Sequence, residues 1–268
     1  MLNEKIYLRP DDEKIFLETF IAEKIEGFTR SAMLVLPGGG YGGLSNREGE
    51  VIGEAFMPYG FNAFVLNYTV ARRRAYPAQL AEVSLAIKHI KDNAEKYGID
   101  KNRVFVVGFS AGGHLAGSIA TMWHREEVYK EAPMPFGYNK PTGAILGYPV
   151  VNGKEDFANK GSFKNLLCTD TPTDEQLDYT SVDKAVDENT SPIFMMHTSN
   201  DELVNVKNSL CLASALRDTN KQFELHIFPD APHGVALGNE ITECGNEKWN
   251  NKRIAEWIRL AAEWTKTL

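Results

Sequence analysis

One pentapeptide constrains this chain more than any other: Gly108-Phe109-Ser110-Ala111-Gly112, set between the apolar run Val104–Val107 and a segment from Ser110 to about Trp123 with the character of a helix. A serine flanked by glycines where a strand hands over to a helix sits on a sharp, strained backbone bend. Small neighbours let strand and helix approach closely. The hydroxyl then projects beyond the sheet, in front of a helix N-terminus that favours developing negative charge. The pattern G-x-S-x-G recurs by chance in many chains; the strand before it and the helix after it give it weight here.

The rest of the chain alternates in the way such a junction requires. Strand-like segments fall at Lys5–Leu8, Glu18–Ala22, Ala32–Leu36, Ala63–Leu66, Ala144–Val151, Ile193–Met196 and Phe223–Phe228. Between them, residues 48–58 look helical. A helix with proline in its first turn runs from Pro77 towards Gly98, with Leu80, Val83, Ile87 and Ile90 on one face. A last helix carries Ile254, Trp257, Ile258 and Ala261. Strands alternating with helices predict an α/β fold: a mostly parallel, twisted sheet of about eight strands with helices on both faces. A polar stretch over 152–190, rich in aspartate, is expected as a small cap insert. No repeat or linker divides the chain, so residues 1–268 are expected to form one domain.

Charge and cysteine content narrow the function classes. The 29 basic and 36 acidic residues leave a formal net charge of −7, which argues against a nucleic-acid partner. The run Arg72-Arg73-Arg74 is expected to be a solvated patch or a contact surface. No apolar stretch approaches the length of a membrane span, and the N-terminus lacks the apolar core of a signal peptide. Cys168, Cys211 and Cys244 are odd in number, far apart and without metal-ligand spacing, so they are expected as free thiols in the cytoplasm. No metal or organic cofactor is expected.

Ser110 needs a base, and the base an orienting carboxylate. Of six histidines, His233 alone follows the last strand in a turn-rich stretch, Pro229-Asp230-Ala231-Pro232-His233-Gly234. For the acid, Asp201 lies several residues beyond the strand Ile193–Met196, with Glu202 and Asp230 as rivals. The loop Pro37-Gly38-Gly39-Gly40-Tyr41 follows an early strand, where glycine amides can turn towards a carbonyl oxygen without a Cβ in the way. Gly39 and Gly40, together with the Ala111 amide, are the expected oxyanion donors. The same loop matches G-x-G-x-x-G, the dinucleotide fingerprint. However, the next strand ends Val65-Leu66-Asn67-Tyr68, without the acidic residue that would hold a ribose.

These motifs, with Gly113-His114 after the elbow, His197-Thr198-Ser199-Asn200-Asp201 and Pro232-His233-Gly234, resemble the α/β-hydrolase esterases. The branch they most resemble is that of the acetyl-xylan-esterase-like and feruloyl-esterase-like sugar-ester hydrolases. One departure is informative: lipase-like branches carry histidine before the three glycines, where this chain has Pro37. The resemblance implies a serine carboxylic-ester hydrolase acting on short-chain acyl esters, removing acetyl groups from small sugars or xylo-oligosaccharides. The implied partner is a small ester, without membrane, and a homo-oligomer stays open. Tyr41, Arg47 and Trp123 are candidate site-lining residues. The alternatives are a serine peptidase of the prolyl-oligopeptidase type and a non-catalytic ligand-binding protein on the same fold.

Overall fold

The computed structural model describes residues 2–268. Eight strands form one sheet: β1 (Lys5–Tyr7), β2 (Phe16–Phe20), β3 (Arg30–Leu36), β4 (Phe61–Asn67), β5 (Ile99–Phe109), β6 (Gly143–Gly147), β7 (Ile193–Thr198) and β8 (Phe223–Phe228). Their order across the sheet is β1-β2-β4-β3-β5-β6-β7-β8. The β1–β2 and β2–β4 pairs are antiparallel; all pairs from β4 to β8 are parallel. The helices are α1 (Glu50–Phe56), α2 (Ala78–Asp92), α3 (Ala94–Tyr97), α4 (Ala111–Met122), α5 (Glu126–Glu131), α6 (Lys160–Leu166), α7 (Asp174–Thr180), α8 (Lys207–Asp218), α9 (Lys252–Ala255) and α10 (Trp257–Thr265).

Period-two alternation divides the core into two layers. Along β3, Ala32, Leu34 and Leu36 pack with Leu80, Val83, Ile87 and Ile90 of α2, Leu115 of α4 and Leu212 of α8. Met33 and Val35 face the other way, against Ile52 and Phe56 of α1 and Trp257 of α10. Both sides of the central strands are therefore covered, which is why they read as continuous apolar runs.

Several segments depart from the sequence-based expectation: β2 occupies Phe16–Phe20 rather than Glu18–Ala22, and α8 was not among the expected helices. The helix entered at Pro77 stops at Asp92 and restarts as α3. At the break the Asn93 side-chain amide donates to the His89 carbonyl (2.8 Å), sharing that acceptor with the last i to i−4 backbone bond of the helix. The strand expected over Ala144–Val151 ends at Gly147. Tyr148 takes φ +35° and Pro149 follows, so the chain turns off the sheet and the Val150 amide donates to the Ser110 carbonyl (3.0 Å).

The insert between β6 and β7 contains α6, α7 and a short 3₁₀ turn, and it is stitched to the body. The Tyr76 amide donates to the Leu166 carbonyl (3.0 Å) and the Val182 amide to the Val151 carbonyl (2.9 Å). The arginine run is absorbed in ion pairs, Arg72 with Asp170, Arg73 with Asp12 and Arg74 with Glu131. Among the described residues, no helix is long and apolar enough to cross a membrane.

Candidate active site

Ser110 sits between the end of β5 and the start of α4 with φ +53° and ψ −117°. A side chain held in such a region costs about 1–3 kcal/mol and persists only where the surroundings impose it. They do so here through the flanking glycines. A Cβ on Gly108 would lie 2.0 Å from the Gly112 carbonyl oxygen, and one on Gly112 would lie 2.1 Å from that of Leu36. No larger residue fits at either position. The Ser110 amide donates to the Gly147 carbonyl (3.0 Å), fixing the bend to β6.

The loops beyond β7 and β8 bring two partners to this serine. His233 Nδ1 lies 2.6 Å from Asp201 Oδ2, and its Nε2 lies 2.9 Å from Ser110 Oγ. A carboxylate only accepts, so Nδ1 carries the hydrogen and Nε2 is left to take the serine proton. Asp201 is buried; its Oδ1 accepts from the Leu203 and Val204 amides (2.9 Å each). His197, fully buried below it, donates from Nε2 to the Val204 carbonyl (2.9 Å) and stands 3.4 Å from Asp201 Oδ2. Burial would push the Asp201 carboxyl up. The neighbouring His197 N–H, the hydrogen bond and electrostatic pull of His233 and the Val204 amide outweigh it and hold that carboxyl well below the usual carboxylate range. The rivals Glu202 and Asp230 are exposed and line a neighbouring groove.

The glycine loop packs against the elbow, where a Cβ on Gly38 would lie 3.1 Å from Ser110 Cβ. Gly39 has φ +131° and Gly40 φ +62°, backbone that a side chain would strain. The Gly38 amide donates to Glu48 Oε2 (3.0 Å), whereas the Gly39, Gly40 and Ala111 amides have no partner among the described residues. Gly39 and Gly40 line a cavity of about 510 Å³ together with Ser110 and His233. Asn165, from the insert, holds this loop by donating to the Gly40 carbonyl (2.8 Å).

Of the three candidate lining residues, Arg47 does face that cavity. Its guanidinium stacks 3.7 Å over the Trp249 ring and its Nε donates to the Thr242 carbonyl (2.7 Å). Tyr41 and Trp123 require correction. Tyr41 is buried behind the loop, its hydroxyl bonded to His114 Nδ1 (2.8 Å), because Tyr68 and the elbow helix enclose its ring. Trp123 is packed in the core with its indole N–H on the Asn189 carbonyl (3.0 Å). The sequence reading missed Glu48, Tyr148, Asn159, Ser162, Asn165 and Trp249. Asn159, Ser162, Asn165 and Trp249 lie far along the chain from the motifs, and Glu48 and Tyr148 carry nothing in their local sequence that gives their direction.

The BD-FAE family model matches residues 20–216. The chain belongs to the BD-FAE family. The dienelactone hydrolase family model matches residues 179–267, the part that carries Asp201 and His233. This BD-FAE chain is 39% identical over 215 residues to endo-1,4-beta-xylanase B of Butyrivibrio fibrisolvens, a match covering 79% of this chain and 33% of that protein. It is 31% identical over 233 residues to an acetylxylan esterase of Xylanibacter ruminicola, covering 85% of this chain and 45% of that protein. It thus spans less than half the length of these curated relatives. Its fold is that of the α/β hydrolases. It superposes on the acetyl ester-xyloside bifunctional hydrolase of Caldicellulosiruptor lactoaceticus with a TM-score of 0.82 at 31% identity, covering 98% of this chain and 96% of the other.

Proposed function

We propose that this chain is a serine carboxylic-ester hydrolase that cleaves short-chain acyl esters and removes acetyl groups from small sugars or xylo-oligosaccharides. One observation carries the proposal: Ser110 Oγ, His233 and Asp201 stand in hydrogen-bonded series, and Ser110 and His233 line an open cavity together with Gly39 and Gly40, whose amides have no partner among the described residues. Ser110 Oγ attacks the ester carbonyl while His233 Nε2 takes its proton, and Asp201 stabilises the imidazolium that forms. The carbonyl oxygen becomes an anion against the amides of Gly39, Gly40 and Ala111. As the tetrahedral adduct collapses, the C–O bond to the alcohol breaks and His233 returns the proton to the leaving oxygen. Water, deprotonated by the same histidine, then hydrolyses the acyl-serine and frees the acid.

The sugar-ester preference is supported by the likeness to acetylxylan esterase and by the polar side chains of Ser45, Asn159, Ser162 and Asn165 in the cavity wall. Cys168, Cys211 and Cys244 are free, in keeping with a reducing compartment such as the cytoplasm. The deciding experiment assays acetylated xylose, acetylated xylobiose, p-nitrophenyl acetate and a chromogenic dipeptide with wild type and Ser110→Ala. Acetate release that Ser110→Ala abolishes is the expected result; cleavage of the peptide alone would replace the esterase with a peptidase.

A further inference from the structure

A buried acid that the mechanism above does not use joins the two halves of the site. Glu48 is 4% exposed. Its Oε2 accepts from the Gly38 amide (3.0 Å) and its Oε1 accepts from the Tyr148 hydroxyl (2.6 Å). That hydroxyl in turn accepts from the Ala236 amide (3.0 Å), three residues beyond His233. The Tyr148 ring lies edge-on to the His233 imidazole, with centroids 4.9 Å apart. Burial pushes the Glu48 carboxyl up, and the Tyr148 hydroxyl, the His233 charge and the Gly38 amide pull the other way.

We propose that Glu48 is the positioning residue of this site, fixing the glycine loop and the His233 turn relative to Ser110 through Gly38 and Tyr148. The inference rests on the esterase reading. Three consecutive glycines allow the loop many backbone states. Occupying the Gly38 amide selects the state in which the next two amides stay free for the oxyanion. The carboxylate is fitted to this place: a Cβ on Gly38 would lie 2.6 Å from Glu48 Oε2. Through Tyr148, the same carboxylate reaches the loop that carries the base, 188 residues further along the chain from Glu48 to Ala236. Glutamine in its place keeps one acceptor for the Gly38 amide. Its NH₂ group, however, only donates, which leaves the Tyr148 hydroxyl proton without an acceptor. Aspartate is one methylene too short to reach both partners.

The test compares Glu48→Ala, Glu48→Gln and Tyr148→Phe in the full chain, with p-nitrophenyl acetate as substrate and a fluorophosphonate as active-site label. Thermal unfolding monitors the fold. In the label the phosphoryl oxygen takes the oxyanion's place, so its reaction rate reports loop alignment independently of turnover. Glu48→Ala should lower kcat about 100-fold, the scale of losing an oxyanion donor, with KM within about threefold. Glu48→Gln and Tyr148→Phe should each fall between Glu48→Ala and wild type, and labelling should slow in parallel. A merely structural role would lower the unfolding temperature without that split between kcat and KM. The inference is overturned if folded Glu48→Ala keeps kcat within twofold of wild type. Should Glu48→Ala fail to fold, the same result from Glu48→Gln and Tyr148→Phe overturns it. A wild type no faster than Ser110→Ala would instead overturn the esterase reading, and this inference with it.

Discussion

Asp201 uses both carboxylate oxygens before any substrate arrives, one on two backbone amides and the other on His233. Replacing it with asparagine keeps the shape but puts an NH₂ group or a neutral oxygen where Nδ1–H expects a charge, so the imidazole loses its preferred tautomer. Asp201→Asn, like Ser110→Ala and His233→Ala, should lower kcat by roughly 10³–10⁶-fold with smaller effects on KM, whereas Glu202→Gln should leave kcat near wild type. Steady-state assays of these four variants decide the matter, and activity lost in Glu202→Gln but kept in Asp201→Asn would move the acid by one residue. At this scale the sequence was informative where local spacing carries the chemistry. The elbow, the loop after the last strand and the loop after Ile193–Met196 that carries Asp201 could all be located along the chain. Glu48 could not, because its partners lie 10 and 100 residues away and nothing in its neighbourhood distinguishes it from a surface glutamate.

Among the elements, α4 ties the site to the insert, and His114 is the knot. Its Nδ1 accepts from the Tyr41 hydroxyl (2.8 Å) and its Nε2 donates to the Thr180 carbonyl (2.8 Å), so glycine loop, elbow helix and insert meet at one buried ring. Burial lowers the His114 pKa to about 4, against the pull of the Thr180 carbonyl. In the unfolded chain the same imidazole takes a proton near pH 6.5. Between pH 6.5 and 4 the unfolded state therefore binds the extra proton and the folded state does not. Stability from this group is full above pH 6.5, falls as the pH drops through that window, and levels off below it. The loss amounts to about 3 kcal/mol. Urea unfolding at pH 7 and pH 4.5 should show a steeper decline for wild type than for His114→Gln; equal slopes would mean that His114 is not buried as a neutral ring. The insert was legible as polar chain but not as a fixed wall, since hydrogen bonds from His114, Asn165 and Tyr76 join distant segments. All eight strands followed from apolar runs, although β2 lies two residues earlier than expected and α8 was not foreseen; β6 ends early because Tyr148 turns before Pro149.

For the whole molecule, the proposed function makes the balance of surface and cavity the determinant of substrate size. A lipase needs a broad apolar face at the mouth of its site to meet an interface. Here Leu203, 63% exposed, is the one large exposed aliphatic or aromatic side chain that lines the cavity among the described residues. The others, such as Phe136 and Ile241, line no part of it. Each methylene buried in a fitting pocket contributes about 0.8 kcal/mol, roughly fourfold in rate, as long as apolar wall remains to receive it. Leu203 and Trp249 are the large apolar side chains lining the cavity among the described residues, and Ser45, Asn159, Ser162 and Asn165 share its wall. The gain should therefore run out within two or three carbons, after which a longer chain only adds exposed apolar surface. Values of kcat/KM for p-nitrophenyl esters of two to twelve carbons, measured below their micellar concentrations, should peak at acetyl, propionyl or butyryl and fall steeply by octanoyl. Acetylated xylose and xylobiose should release acetate in the same preparation. A maximum at ten or twelve carbons would contradict the short-chain cavity outright. A short-chain maximum with no acetate released from either sugar would remove the sugar preference and leave the esterase acting on esters of some other small alcohol.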